Sequence, residues 1–282
     1  MQQPCQWAKH GSLVKCGPEG GCLPYKNALR AERGMRARDL TPGPQCGFIS
    51  AMEIDLNCDL GEGCPKDAEL MALITSANVA CGFHAGDPAT AHATLVLAAR
   101  HGVQVGANPG FADREHFGRR ELARTEQQVY EECVYQIGAL AGLARAAGTE
   151  LRYAKPHGAL YNMACREDRY ARPVVAAAEL FGLKLMGLPG SRLQALSDGR
   201  CPFVVEGFAD RRYMPDGSLV PRGRADAFVQ NAPEAVKQAE WLLRDKGVQT
   251  LCVHGDNPEA VAFVRALREE LTRRGVTIRA FA

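Results

Sequence analysis

What the chain lacks narrows its chemistry before any residue is singled out. No stretch of its 282 residues reaches the roughly 18 consecutive apolar residues of a membrane span, and the beginning has no continuous apolar core of a secretory signal. There is no GxxxxGK[ST] loop and no GxGxxG after a strand-like run, so neither common phosphate cradle is present. Local HxxxH and HExxH spacings are absent too. The eleven cysteines include no CxxC pair and no repeated metal-finger spacing, and their odd number argues against a disulfide framework. Cys58, Cys81 and Cys252 sit in apolar runs and read as small core residues. Charge of one sign is also scarce. The formal net charge is +2, and the surplus lies in residues 1–51, which leaves a nearly neutral remainder. Such a body suits neither nucleic acid nor a membrane surface, so a soluble, cytoplasmic protein is expected.

Residues 1–51 differ in kind from the rest. They hold four cysteines, many Gly and Pro, and arginines at 30, 33, 36 and 38, without a sustained period. They read as a disordered leader or as the result of an upstream start, because Met52 directly precedes the first convincing strand. A transit peptide fits the arginine content but not the weak amphipathic pattern.

From Met52 onward, strand-like and helix-like segments alternate, the signature of a parallel sheet covered by helices. The runs 53–59, 77–81, 103–107, 151–155, 183–187, 202–206 and 249–253 read as strands, with 276–281 as a possible eighth. Asp87 before Pro88, and Asn257 before Pro258, each place a capping side chain ahead of a first-turn proline. Thr125 and Gln128 fit a capping box opening a long helix that stops at Gly148, while Gly247 and Gly275 suit left-handed stops. Seven such units without a domain break predict a single β/α barrel over 52–282; an open doubly wound sheet is the alternative.

Polar residues recur just past the apolar runs, where a barrel would gather them at one end. Asp55, Asn57 and Asp59 share one face of the first strand, since strand side chains alternate. Two carboxylates facing covering helices would be costly, so a polar barrel mouth is expected instead. His84 lies in a Gly-flanked loop suited to reaching a ligand, and Asp87 either orients it or merely caps the next helix. Lys155 and His157 straddle Pro156 and project to the same side, which suits anion binding beside proton transfer; Lys155 could instead only neutralise Asp55 or Asp59. His254 and Asp256 follow the seventh strand in the same manner. Asp210, Arg211 and Tyr213 lie in a long loop after the sixth, where Arg211 is either a phosphate or oxyanion clamp or an ion-pair partner of Asp210.

The runs MEIDLNCDLGEG, SANVACGFHAGD, GANPGFADREHFGRR, KPHGALYN, FADRRY and CVHGDNPEA occur in that order, and with them the chain closely resembles the LamB/YcsF lactam-utilisation family over residues 52–282. The resemblance implies a (β/α)7-type barrel of the glycoside hydrolase/deacetylase kind. It also implies the role of the A subunit of 5-oxoprolinase, working with subunits B and C to open 5-oxoproline (pyroglutamate) to L-glutamate with ATP as cosubstrate. On this reading Asp55, Asp59, His84, Asp87, His157 and Asp256 are the candidate catalytic residues. Asn57, Asn108, Lys155, Asp210, Arg211 and His254 are the candidate substrate-binding residues. One departure is Asn108 in GANPGF, where the family commonly carries His; Asn can bond a ligand but cannot shuttle a proton. A second is the short connection between the helix ending near Lys246 and the seventh strand.

A lactam is a poor electrophile, so phosphorylating its oxygen eases attack by water, and the enzyme must then move protons and stabilise charge. A divalent metal, with ATP or held by His84, His157 and His254 with Asp55 or Asp59, is possible and leaves open a stand-alone metal-dependent amidohydrolase or carbohydrate deacetylase. A noncatalytic assembly component is the third class.

Overall fold

In the computed structural model, residues 52–229, 231–254 and 259–281 are described. The first half comprises β1 (Glu53–Leu60), α1 (Asp67–Met71), β2 (Ser76–Ala80), α2 (Pro88–His101), β3 (Gln104–Asn108), α3 (Glu126–Ala146) and β4 (Leu151–Ala154). The second comprises α4 (Gly158–Arg166), α5 (Asp168–Leu180), β5 (Lys184–Gly187), α6 (Arg192–Ser197), β6 (Phe203–Phe208), α7 (Ala232–Lys246), β7 (Thr250–Val253), α8 (Ala260–Arg273) and β8 (Thr277–Ile278). All strand pairs are parallel, and β1 bonds both β2 and β7, so seven strands close into a barrel. The closed form, rather than the open sheet, is the one adopted.

The possible eighth strand exists but stands outside the ring. Thr277 N and Arg279 N donate to Met52 O and Ile54 O, on the same edge of β1 where Thr75 N, just ahead of β2, donates to Leu56 O. β8 thus extends that edge below the start of β2. Phe281 follows it and packs edge-on against Tyr153 at 5.2 Å. Tyr153 is wholly buried, and its ring lies where a Cβ on Gly106 would stand, so only glycine fits at 106.

Alternation along β1 divides the molecule into two kinds of interior. Ile54, Leu56, Cys58 and Leu60 are buried in the main apolar core, together with residues such as Leu95 of α2, Ile137 of α3 and Leu267 of α8. Each such aliphatic side chain contributes roughly 1.5–3 kcal/mol. The intervening Asp55, Asn57 and Asp59 belong to a polar network within the ring.

The helix signals act where expected. Asp87 caps α2 by accepting from Thr90 N at 2.8 Å, and the Thr125–Gln128 capping box opens α3. Gly247 and Gly275 take φ of 62° and 82° after α7 and α8. The leader 1–51 and the Asn257–Pro258 cap lie outside the described residues. Among the described residues, no helix is long and apolar enough to cross a membrane.

Candidate active site

The polar interior rises in tiers toward the C-terminal ends of the strands. At the lowest tier Asp55 accepts from the hydroxyls of Thr75, Ser76 and Thr250. Burial pushes its carboxyl up to about 6, against the pull of those hydroxyls. Asn57 and Asn78 come next: Asn57 Nδ2 donates to Thr250 and Glu206, Asn78 Nδ2 donates to Asn57 and Asp59, and the Tyr153 hydroxyl donates to Asn78. Asp55 therefore does not reach the mouth as its face suggested; three hydroxyls below the Asn57 tier occupy it.

The top tier holds the reactive groups. Lys155 Nζ lies 2.8 Å from Glu206 and 3.2 Å from Asp59, and it also reaches Asn57 Oδ1 and Cys252 Sγ. Asp55 is not among its contacts. Burial opposes both charges, yet the pairing prevails: the Asp59 carboxylate and its neighbours raise the Lys155 ammonium well above its usual range, and Lys155 with His157 holds Asp59 well below its own.

His157 meets acceptors at both ring nitrogens. Nε2 faces the Phe117 carbonyl at 3.1 Å, while Nδ1 faces Asp59 Oδ2 at 3.2 Å and Asn108 Oδ1 at 3.1 Å. Asn108 cannot turn its amide to that nitrogen, because its Nδ2 is donating to the Lys155 carbonyl. Protons on both ring nitrogens would satisfy these bonds, but burial and the neighbouring His84 push the His157 pKa down, so a proton taken up there is given up readily.

His84 lies behind His157 rather than on the pocket wall. The rings stack 2° from parallel with centroids 3.8 Å apart, and His84 is shut off from water. Burial drives its pKa down to about 4, so the ring is neutral. Neither of its nitrogens has a hydrogen-bond partner, and neither does Glu62 Oε1, 3.4 Å from His84 Nε2. Burial and Asp59 push Glu62 up to about 7. The loops holding this pair are pinned from outside. Arg114 donates to the carbonyls of Gly82 and Gly86, and Gln136 of α3 bonds both main-chain groups of Gly110. Gly118, at φ 65°, passes so close that a Cβ there would stand 2.7 Å from His84 Cβ.

On the far side, Asp210 Oδ2 accepts from His254 N and from Nδ1 of the same ring at 2.7 Å. Asp210 is thus engaged with His254 and makes no ion pair with Arg211. Arg211 is nearly buried, donates to the Val220 carbonyl and lies over the Phe228 ring. A cavity of about 560 Å³ opens between these groups, reached by Asp59, Lys155, His157, Arg119, Arg211 and His254, with Tyr161, Leu188 and Phe208 as its apolar wall.

Asp59, Asn57, Asn108, Lys155, His157, His84, Asp210, Arg211 and His254 all gather at this end. Asp87 does not: it is exposed, caps α2 and borders a separate groove with Phe83 and Tyr135, because Pro88 commits it to the helix start. Asp256 lies outside the described residues. Sequence reasoning missed Glu62 and Glu206. The first sits in DLGEG directly past β1; the second is the one charged residue in FVVEGF, and a carboxylate on an otherwise apolar strand was the available signal.

Glu62, His84 and His157 offer donor atoms within 4.8 Å of one another, and the unpartnered atoms on Glu62 and His84 are those a cation would satisfy. The stack works against it. In-plane lone pairs of parallel rings run side by side, so both histidines could bind one ion only if a ring turned.

The LamB/YcsF family model matches residues 54–282. The chain belongs to the LamB/YcsF family. Among similar members, the 5-oxoprolinase A subunit of Methylococcus capsulatus (strain ATCC 33009 / NCIMB 11132 / Bath) is 47% identical, over 82% of this chain and 96% of its own. The protein of the same name from Neisseria meningitidis serogroup C (strain 053442) is 44% identical, over 81% and 99%. The crystal structure of a lactam utilization protein from Thermus thermophilus superposes with a TM-score of 0.75 at 39% identity, covering 82% of this chain and all of that one. In this chain the tiered interior is built by the motifs that carry the resemblance: Asn57 and Asp59 from NCDLGEG, His84 from CGFHAGD, and Lys155 with His157 from KPHG.

Proposed function

We propose that this chain is the A subunit of an ATP-dependent 5-oxoprolinase, opening 5-oxoproline to L-glutamate together with subunits B and C while ATP is hydrolysed to ADP and phosphate. The observation that carries the reading is the Asp59–Lys155–His157 group at the pocket floor, an ammonium and a proton-bearing imidazole on one carboxylate. Lys155 polarises the lactam oxygen and stabilises charge that develops there. His157 delivers the proton that the ring nitrogen needs to leave, and Asp59 keeps both groups in place. The relatives' shared name, which makes each of them one subunit of an enzyme, supports assembly with further chains. Since neither glycine-rich phosphate motif is present, ATP binding falls to those partners or to an interface with them. Dependence on ATP supports action in the cytoplasm.

The deacetylase-like alternative draws on the Glu62–His84–His157 donors, which would hold a divalent ion and supply a Lewis acid. One experiment separates the two. The full chain is purified with and without subunits B and C, and 5-oxoproline-dependent glutamate release is measured with ATP present or absent and with a chelator. Glutamate formed only with partners and ATP supports the proposal; release by the chain alone, without ATP and abolished by chelation, overturns it in favour of the hydrolase.

A further inference from the structure

The far wall of the cavity carries a second histidine, and its neighbours fix its tautomer. His254 follows β7 and borders the cavity, its ring 5.9 Å from that of Phe208 and 19° from parallel. Asp210 Oδ2 accepts from His254 Nδ1 at 2.7 Å and from His254 N at 3.1 Å. Burial alone would raise the Asp210 carboxyl, but the charge and bonds of His254 hold it below its usual value, so the acceptor is ionised. An ionised carboxylate only accepts, which places a proton on Nδ1 and leaves the lone pair of the uncharged ring on Nε2. Among the described residues Nε2 makes no hydrogen bond, and Asp210 Oδ1 is buried without a partner, so the carboxylate is committed to His254. The pair is braced from behind: Gln238 of α7 donates to the carbonyls of Phe208 and Arg211 at 2.6 Å each, and Val229 N donates to the Asp210 carbonyl at 3.0 Å.

We infer that His254 is the general base that activates the attacking water, and that Asp210 is the positioning residue that keeps its Nε2 lone pair available to the cavity. This role rests on the 5-oxoprolinase reading and supplies the base that opening a lactam requires. The two histidines of the cavity are built for opposite tasks. His157 has acceptors at both ring nitrogens and suits giving a proton, whereas His254 has one acceptor and one open nitrogen and suits taking one. Both address the same floor: His254 acts electrostatically on Asp59, which bonds His157, and Phe208 beneath its ring lies 5.5 Å from Lys155 Nζ. His254 is not among the Glu62, His84 and His157 donors that a cation could bridge. A bond that merely tied the loop after β6 to the end of β7 would be met by His254 N alone; the shorter bond to Nδ1 orients the ring as well.

Written for the unmodified lactam, the chemistry balances. The water oxygen bonds the ring carbon, its proton passes to His254 Nε2, and the carbonyl π pair moves onto the oxygen that Lys155 faces. That pair returns as the C–N bond breaks, its electrons go to nitrogen, and His157 protonates that nitrogen. The carboxyl proton of the product goes to its amine, and the proton on His254 returns to His157 through solvent, which restores both rings. The same water step is needed when ATP has first activated the lactam.

The test assembles the full chain with subunits B and C and compares wild type with His254→Gln, Asp210→Asn and His157→Gln. In His254→Gln, kcat for glutamate formation with ATP should fall roughly 100- to 10,000-fold, with 5-oxoproline affinity by calorimetry changed less than about threefold. Hydroxylamine then replaces water as the nucleophile. It attacks without a base, so His254→Gln should form the hydroxamate of glutamate within about tenfold of wild type, while His157→Gln, which lacks the proton donor, should lose both products. Nitrogen-15 NMR of the full chain should show His254 protonated at Nδ1 and bare at Nε2, and Asp210→Asn should disturb that tautomer and lower kcat without raising KM. Thermal melts establish folding, and Asp210→Asn serves if the His254 variant does not fold. Glutamate formation within about tenfold of wild type in His254→Gln overturns the assignment, and so does hydroxamate lost as deeply as glutamate, a ring protonated at Nε2 alone, or 5-oxoproline affinity that falls in step with turnover. If the wild-type complex makes no glutamate, it is the functional reading that fails and the lactam step falls with it, while the NMR signals still decide the Asp210–His254 pairing.

Discussion

The imidazole of His84 lies flat against that of His157, 3.8 Å away and 2° from parallel, with no hydrogen-bond partner for either His84 nitrogen. Two stacked imidazolium rings would repel, so the pair holds at most one extra proton, and of the two rings only His157 has acceptors around it. Replacing His84 by Phe keeps the stacked area and removes two buried, unpaired nitrogens, each costing about 1–3 kcal/mol. His84→Phe is expected to melt at or above the wild-type temperature, yet to lose at least about 100-fold in ATP-coupled glutamate formation. Wild-type turnover would remove His84 from the mechanism.

Lys155 and Glu206 form the second close pair, at 2.8 Å. Lys155→Met leaves Asp59 and Glu206 buried without their cation and is expected to cost about 3–5 kcal/mol of stability. Adding Glu206→Gln should restore part of that loss without restoring activity. Urea unfolding of both single variants and the double variant reads the coupling, and strictly additive losses would show that the pair is not coupled.

Glu62 titrates near neutrality, at about 7, because burial and Asp59 resist its ionisation. Below that pH it is protonated and above it charged. A transition near pH 7 in kcat/KM is therefore expected of the wild type, and Glu62→Gln, which holds the neutral form at every pH, should abolish it. An unchanged profile assigns that transition elsewhere.

Much of this was legible in the chain. Alternation along β1 put Asp55, Asn57 and Asp59 on one face, and the caps at Asp87 and Thr125 fixed where α2 and α3 begin. Depth was not legible. Period two says that Asp55 and Asp59 point into the ring, but not that three hydroxyls hold Asp55 below the mouth while a lysine from another strand end reaches Asp59. Nor could spacing show that Asp210 would choose His254 over Arg211, because that choice depends on how a loop from β6 meets the end of β7.

Asp55 itself supplies a stability test. Its folded pKa is raised from 3.8 to about 6, so its contribution is fully present below 3.8 and is lost as pH rises through 6. Relative to wild type, Asp55→Asn should gain about 2 kcal/mol between pH 4 and pH 7. Denaturant midpoints at the two pH values measure this, and a constant difference would mean that Asp55 titrates normally.

Arg211, Arg222 and Phe228 ride on the chain between β6 and α7, not on the ring of strands that carries Lys155 and Asp59. The outer wall of the pocket and its floor are thereby carried by separable parts of the barrel. Changes confined to that one excursion can reshape the wall while the strand ring beneath it stays intact.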